Sequence, residues 1–235
     1  QSYATPRDLV LPLFIDLGRF GVSVRDRPKL IQRTRMARLL PCICRGVAWI
    51  SDRNLLEVAR RTSSLLSAQL DGYFIESIDQ DFFDEAVSLL QPAIVPPAVV
   101  EYSAERVCAI HIRGGDFVRL GWTLDDMLSY YQTSLTRVLE CEPDLRIVAV
   151  TDDPDHAAQT LRSLGVNADI HSGNLKSDFD LLRTASYAIL SNSTFSFWAG
   201  ALRSPGTRGW STFAPRLWRP GAPRQIWIRS EWGRH

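Results

Sequence analysis

Short apolar runs alternate with stretches of helical periodicity over the second half of the chain. This alternation is typical of a parallel β-sheet wrapped by helices. In such sheets, ligands bind beyond the carboxyl ends of the strands, so we expect function in the loops that follow them. The predicted strands are 107–112, 146–150, 168–171 and 187–190, and the predicted helices are 123–139, 155–164, 178–185 and 196–202.

The first half of the chain has a less regular pattern. An apolar run at 9–17 is typical of a buried strand, residues 54–70 have apolar positions at helical spacing, and a turn at 71–74 leads into a short strand. A proline-rich segment at 91–98 then interrupts the pattern and is our candidate linker. We therefore predict two domains, 1–98 and 99–235.

The composition restricts the classes of function. A chain of 235 residues with 45% apolar content can bury one large core or two small ones. Its net charge of +1 gives no overall field that would attract nucleic acid. No apolar stretch reaches the roughly 20 residues of a membrane span, and no charged-then-apolar leader opens the sequence. We expect a cytoplasmic protein, with association at the inner face of the membrane left open.

The four cysteines do not have the spacing of a zinc site. Cys42 and Cys44 form a Cys-x-Cys pair, but neither Cys108 nor Cys141 provides a second pair, and no histidine cluster lies nearby. Reduced and mostly buried thiols are the favoured interpretation.

Three polar clusters follow successive predicted strands. They are residues 111–116 (HIRGGD), 151–154 (TDDP) and 191–195 (SNSTF). We expect these first, second and third clusters to form one pocket rim. The third cluster leads into a predicted helix, so its hydroxyl and N–H groups would lie at a helix N-terminus, which favours an anion such as phosphate. Capping of the helix by a serine or threonine hydroxyl is the alternative.

Arg113 in the first cluster is suited to binding a diphosphate, because a guanidinium can form two parallel hydrogen bonds with phosphate oxygens. Pairing with Asp116 is the alternative for Arg113, and an ordinary place in the core is the alternative for His111. In the second cluster, Asp152 and Asp153 could bind a divalent cation or accept hydrogen bonds from a base or ribose. We favour the interpretation without a metal.

Residues 111–117 and 191–198 resemble two segments of the bacterial and animal alpha-1,2-fucosyltransferases, which are similar to glycosyltransferase family 11. The order of the two segments and the separation between them match as well. Weaker similarity at 15–17 and 72–74 extends the resemblance over nearly the whole chain. It implies an α/β fold of the GT-B kind with two Rossmann-like lobes, GDP-fucose as donor, inversion at the anomeric carbon, no metal or other cofactor, and a glycan acceptor ending in galactose. Residues 151–154 are also similar to a segment of the alpha-1,6-fucosyltransferases in which an acidic residue contacts guanosine.

The resemblance implies roles for individual residues. Arg113 is similar to the arginine that binds the donor diphosphate. Asp116 is the carboxylate of the motif nearest to it and is the candidate base, with holding the loop or pairing with Arg113 as the alternative. These two residues are the predicted catalytic residues. The predicted donor-binding residues are His111, Arg113, Gly115, Asp152, Asp153, Asn192, Ser193, Thr194 and Phe195.

The sequence departs from the family pattern in two places. Gly114 stands where many members have a second arginine, so we expect less positive charge near the leaving diphosphate unless Arg119 or Arg183 supplies it. The opening strand and the Gly-Gly-x-Gly-Asn-Gln loop of the family have no counterpart in the sequence, and we therefore expect an incomplete N-terminal lobe.

These features predict an inverting transfer of L-fucose from GDP-fucose to a glycan hydroxyl, O2 of galactose. Transfer in another linkage such as alpha-1,6, transfer of another GDP-sugar, and an inactive GDP-sugar-binding protein are the alternatives. A lectin-like module is a further alternative, because five of the seven tryptophans lie in the last forty residues. They could form a glycan-stacking face, a subunit contact or ordinary core.

Overall fold

A computed structural model describes residues 47–51, 67–71, 80–97, 106–123, 126–203, 211–215 and 233–234. The described residues up to Phe83 belong to one compact unit, and those from Asp84 onward belong to another.

The unit that precedes Asp84 contains two parallel strands. Strand β1 (Val47–Ser51) pairs with β2 (Ser67–Asp71) along its whole length. The prediction of a helix over 54–70 is therefore wrong at its C-terminal end, because pairing with a distant strand overrides local helical spacing there. The turn predicted at 71–74 is wrong at Asp71, which is the last residue of β2. The rest of that turn, the short strand after it and the strand predicted at 9–17 lie outside the described residues.

The other unit is built on a sheet of six parallel strands in the order β5-β4-β3-β6-β7-β8. Counted from β3, this is the 3-2-1-4-5-6 order of the doubly wound nucleotide-binding fold. The strand order reverses between β3 and β6, so a crevice is expected at the carboxyl ends of these two strands. The strands are β3 (Val107–Ile112), β4 (Arg146–Thr151), β5 (Asp169–His171), β6 (Tyr187–Ile189), β7 (Thr212–Ala214) and β8 (Gly233–Arg234).

Six α-helices lie in the described residues, and local signals fix several of their ends. Asp153 accepts a hydrogen bond from the His156 N–H at the start of α4, where Pro154 is the first helical residue. Gly165 ends the same helix in the left-handed conformation, with φ of 66°. The helices are α1 (Gln80–Leu90), α2 (Asp116–Leu120), α3 (Met127–Cys141), α4 (Pro154–Leu164), α5 (Leu175–Thr184) and α6 (Thr194–Ala201).

The predicted alternation of strands and helices after residue 107 is confirmed, with small shifts in the boundaries. All six residues of β3 are buried, and Cys108, Ile110 and Ile112 belong to the same core cluster as Leu135 and Val138 of α3. No helix in the described part of the chain is long and apolar enough to cross a membrane.

The cysteines in the described segments carry free thiols. Cys108 is fully buried, and burial raises its pKa to about 12, whereas Cys141 is exposed. The prediction of mostly buried thiols therefore holds for Cys108 and is wrong for Cys141. Cys42 and Cys44 lie outside the described residues.

The proline-rich segment begins as a 3₁₀ turn at Gln91–Ala93. Gln91 Nε2 donates to the carbonyl oxygen of Arg203 at 2.8 Å, and Lys176 Nζ donates to that of Pro96 at 3.1 Å. This segment is thus attached to α5 and to the end of α6. The predicted domain boundary between 98 and 99 lies outside the described residues and stays a prediction.

Candidate functional site

The first and third clusters meet where β3 and β6 separate. The last residue pair between these strands is Ile110 with Ile189. His111 follows the first of these, and its Nδ1 lies 2.7 Å from the Oγ of Ser191. Both side chains are buried. A buried hydrogen bond therefore joins the two clusters at the point where the strand order reverses, which is the usual ligand position of this fold.

His111 is neutral in this position. Burial lowers its pKa from 6.5 to about 3, with a smaller contribution from the positive charge of Arg113. The His111 ring also lies against Phe195, with the ring centroids 5.8 Å apart. A neutral imidazole keeps one donor and one acceptor nitrogen. His111 is thus a buried residue whose hydrogen bond with Ser191 links the first cluster to the third.

We expect the burial of His111 to weaken the fold in acid. The unfolded chain takes up a proton near pH 6.5, whereas the folded protein does so only near pH 3. The free energy of unfolding should therefore fall as the pH drops through this window, by up to about 1.4 kcal/mol per pH unit, and show no such effect above it. Urea unfolding between pH 7.5 and 4 should show a flatter pH dependence for His111→Gln. Ser191→Ala keeps the imidazole and should keep the slope, and parallel curves for all three proteins would contradict this account.

Arg113 lies between two carboxylates. Its Nη2 is 2.6 Å from Asp116 Oδ1, and its Nη1 is 2.7 Å from Asp152 Oδ2. The guanidinium also lies over the ring of Phe117, 5.1 Å from the centroid. The pairing of Arg113 with Asp116, which the sequence left open, is thus present. Bidentate binding of a diphosphate by Arg113 would require it to exchange at least one of these contacts.

The aspartates of the second cluster accept hydrogen bonds from the glycine turn of the first cluster. The N–H of Gly114 donates to Asp152 Oδ1 at 3.0 Å, and that of Gly115 donates to Asp153 Oδ2 at 3.1 Å. Hydrogen bonds from the N–H groups of His156 and Gly115 lower the pKa of Asp153. Both aspartates are therefore engaged with the turn, and their contact with guanosine stays a prediction.

Asp153 also gives a steric reason for the glycine at position 114. A Cβ atom added to Gly114 would lie 2.5 Å from the Cβ of Asp153, which is closer than real side chains approach. A second arginine at this position would have to displace Asp153. Of the two arginines considered as substitutes, Arg183 is buried and lies 3.4 Å from Asp180, and Arg119 is exposed on α2.

The third cluster forms the start of α6, as predicted. Ser193 is the N-cap residue in an extended conformation, and its side chain makes no capping hydrogen bond. The alternative of ordinary hydroxyl capping is therefore wrong for Ser193. Asn192 Nδ2 donates to the carbonyl oxygen of Trp122 at 2.8 Å, which ties this cluster to the residues after α2. Thr194 is half-buried at the first helical position.

A further polar group at the same sheet edge did not stand out in the sequence. His171 Nε2 at the end of β5 lies 3.1 Å from Asp178 Oδ1, which also accepts the N–H of Gly173. Burial is the main cause that raises the pKa of Asp178. The sequence signal for this polar group is a histidine at the end of a predicted strand, followed by a loop that contains a glycine.

The described residues contain no group of three or more His, Cys, Asp or Glu side chains that could bind a metal ion. The absence of a metal in the reaction stays a prediction.

A parallel sheet in the 3-2-1-4-5-6 order, with an arginine and a helix N-terminus after the strands at which the order reverses, defines an α/β protein with the doubly wound, Rossmann-like fold. The family model of glycosyl transferase family 11 matches residues 95–213, which is just over half of the chain and includes all three clusters. The chain belongs to glycosyl transferase family 11. This confirms the resemblance to the alpha-1,2-fucosyltransferases and supports a fucosyltransferase activity in general. It gives no support to the similarity with alpha-1,6 enzymes. No match to the chain was found among curated proteins.

Proposed function

We propose that the protein transfers L-fucose from GDP-fucose to a glycan hydroxyl, O2 of galactose, with inversion at the anomeric carbon. Membership of family 11 supports the transferase class. The observation that carries the donor site is the hydrogen bond between His111 and Ser191, because it joins the loops that contain two anion-binding features where the strand order reverses. In this proposal the sheet that contains β3 is the donor lobe of a two-lobed GT-B enzyme in the cytoplasm.

The N-terminus of α6 is the first anion-binding feature. The first N–H groups of a helix have no acceptor within the helix, and the helix dipole adds a partial positive charge there. The first hydrogen bond within α6 runs from Phe197 N–H to the Ser193 carbonyl oxygen at 2.9 Å. We therefore assign the N–H groups at Thr194 and Phe195 to the donor phosphates, with Asn192 and Ser193 shaping the loop that precedes them.

Arg113 is the second feature. Both terminal nitrogens of Arg113 already contact carboxylates, at 2.6 Å to Asp116 and 2.7 Å to Asp152, so forked binding of a diphosphate requires a change of partner. We propose that the guanidinium exchanges one carboxylate for a phosphate oxygen when the donor binds. Gly115 has φ of 52°, a value that glycine adopts without strain, and gives the turn its shape.

The reaction itself forms a bond between the acceptor oxygen and the anomeric carbon while the bond from that carbon to the diphosphate breaks. The electron pair of the broken bond leaves with GDP, where Arg113 and the start of α6 would stabilise the charge. The acceptor hydroxyl loses its proton to a base. Asp116 is the candidate base, although its contact with Arg113 supports a positioning role equally well.

Calorimetric titration with GDP, GDP-fucose and UDP tests the donor class. We expect GDP and GDP-fucose to bind and UDP not to bind, and we expect fucose transfer to a galactose-terminated oligosaccharide. GDP binding without transfer or hydrolysis would favour an inactive GDP-sugar-binding protein. Binding of glycans without binding of GDP would favour a lectin-like module and contradict the proposal.

A further inference from the structure

Two adjacent tyrosines of α3 bind the backbone at the point where β3 and β6 separate. The hydroxyl of Tyr131 donates to the His111 carbonyl oxygen at 2.8 Å, and that of Tyr130 donates to the Leu190 carbonyl oxygen at 2.9 Å. His111 and Leu190 each come one residue after the last pair between these strands. One helix thus contacts the ends of both strands at the point where they separate.

The hydroxyl groups of the two tyrosines, and not their rings, donate the hydrogen bonds to the two strand ends. Both tyrosines are buried, and their rings pack against each other with centroids 5.3 Å apart. Burial raises the pKa of Tyr130 and of Tyr131, so both remain protonated donors. Phenylalanine would fill the same apolar volume but would leave two buried carbonyl groups without these donors.

The two accepting carbonyl groups are close to the donor site in the chain. His111 is two residues before Arg113, so the orientation of its peptide group affects where the Arg-Gly-Gly turn begins. Leu190 directly precedes Ser191, whose hydroxyl contacts the His111 ring. A shift of either strand end would therefore move both the arginine and the start of α6.

We propose that Tyr130 and Tyr131 are positioning residues for the site that binds the nucleoside diphosphate. They fix the relative placement of the loop after β3 and the loop after β6, although neither is proposed to touch the ligand. This inference rests on the proposed function for the identity of the ligand. The placement of the two loops can be measured without any ligand.

Tyr130→Phe and Tyr131→Phe test the proposal, with Tyr187→Phe as a matched control. Tyr187 begins β6 at its opposite end, and its hydroxyl lies 3.4 Å from Glu142 Oε1. We expect each of the first two variants to weaken GDP binding about 3- to 10-fold, the range that one lost hydrogen bond allows. Tyr187→Phe should leave GDP affinity unchanged. Thermal unfolding of all three variants reports the structural cost, which is expected to be larger for Tyr130→Phe and Tyr131→Phe than for Tyr187→Phe, because the first two each leave a buried carbonyl group without its donor.

Hydrogen exchange of the ligand-free protein is the second readout. We expect faster exchange at 113–116 and 191–196 in Tyr130→Phe and Tyr131→Phe than in the control. Unchanged exchange in both loops would overturn the positioning role, as would GDP affinity equal to that of the control. If the unaltered protein binds no GDP, the proposed ligand is wrong, and the exchange data still decide whether the tyrosines position the loops.

Discussion

Replacing Arg113 by alanine should lower the rate of fucosyl transfer by a factor on the order of 10²–10³, the range found when a single charge-stabilising donor is removed from an active site. In the proposed mechanism, the Arg113 guanidinium stabilises the negative charge that develops on the leaving diphosphate. The variant also leaves Asp116 and Asp152 without the partner they have at 2.6 and 2.7 Å. Their negative charges, no longer offset by Arg113, would repel the donor, so we expect GDP affinity to fall as well.

Steady-state kinetics and GDP titration would measure this effect. Arg113→Lys keeps the charge but loses the fork of two parallel donors, so it should recover only part of the activity. Arg119→Ala is the matched control, because Arg119 is exposed on the neighbouring helix α2 and should be dispensable. Transfer rates that are equal in Arg113→Ala and Arg119→Ala would remove Arg113 from the mechanism.

Replacing Asp180 by asparagine should reduce the free energy of unfolding by about 3–5 kcal/mol, the usual cost of removing one partner of a buried ion pair. Asp180 on α5 is almost completely buried. It pairs with Lys176 one turn earlier and lies 3.4 Å from Nη2 of Arg183, which is also buried. Asparagine has nearly the same shape, so the loss would come from two cations that no longer face a negative charge.

Urea unfolding is the measurement for Asp180→Asn. Asp169→Asn is the control, because Asp169 pairs with Arg146 at 2.6 Å on the surface, where both side chains are about half exposed. An exposed pair of this kind should contribute less than about 1 kcal/mol. Adding Arg183→Met to Asp180→Asn should restore part of the lost stability by removing one unpaired charge. Equal losses in Asp180→Asn and Asp169→Asn would show that the buried cluster has no special role.

Much of the candidate site was predictable because its signals are local. The motif at 111–116 places an arginine beside glycines, and the motif at 191–195 precedes a helix, as the structure confirms. The capping aspartate and first-turn proline at 153 and 154 likewise act on their own turn of helix. Neighbouring residues determine such features, so a single sequence carries them.

The partners of the site residues were not predictable in the same way. Arg113 was expected to bind a phosphate or to pair with Asp116, and the structure shows the pairing with Asp116 and adds a second partner, Asp152. The aspartates of the second cluster were expected to contact a nucleoside, which stays a prediction, and the structure adds that they accept hydrogen bonds from the glycine turn. Residue type and spacing indicate what a side chain can bind, but not which of several suitable partners the fold brings nearest.

By itself, the sequence determined the alternating strands and helices after residue 107, the three polar clusters and the family. Only the tertiary structure decided the strand order, the contact of His111 with Ser191 and the attachment of Tyr130 and Tyr131 to the two strand ends. These contacts join residues that are between 20 and 80 positions apart in the chain. Their formation depends on which strands become neighbours, and that choice reflects the packing of the whole sheet and its helices rather than any local pattern.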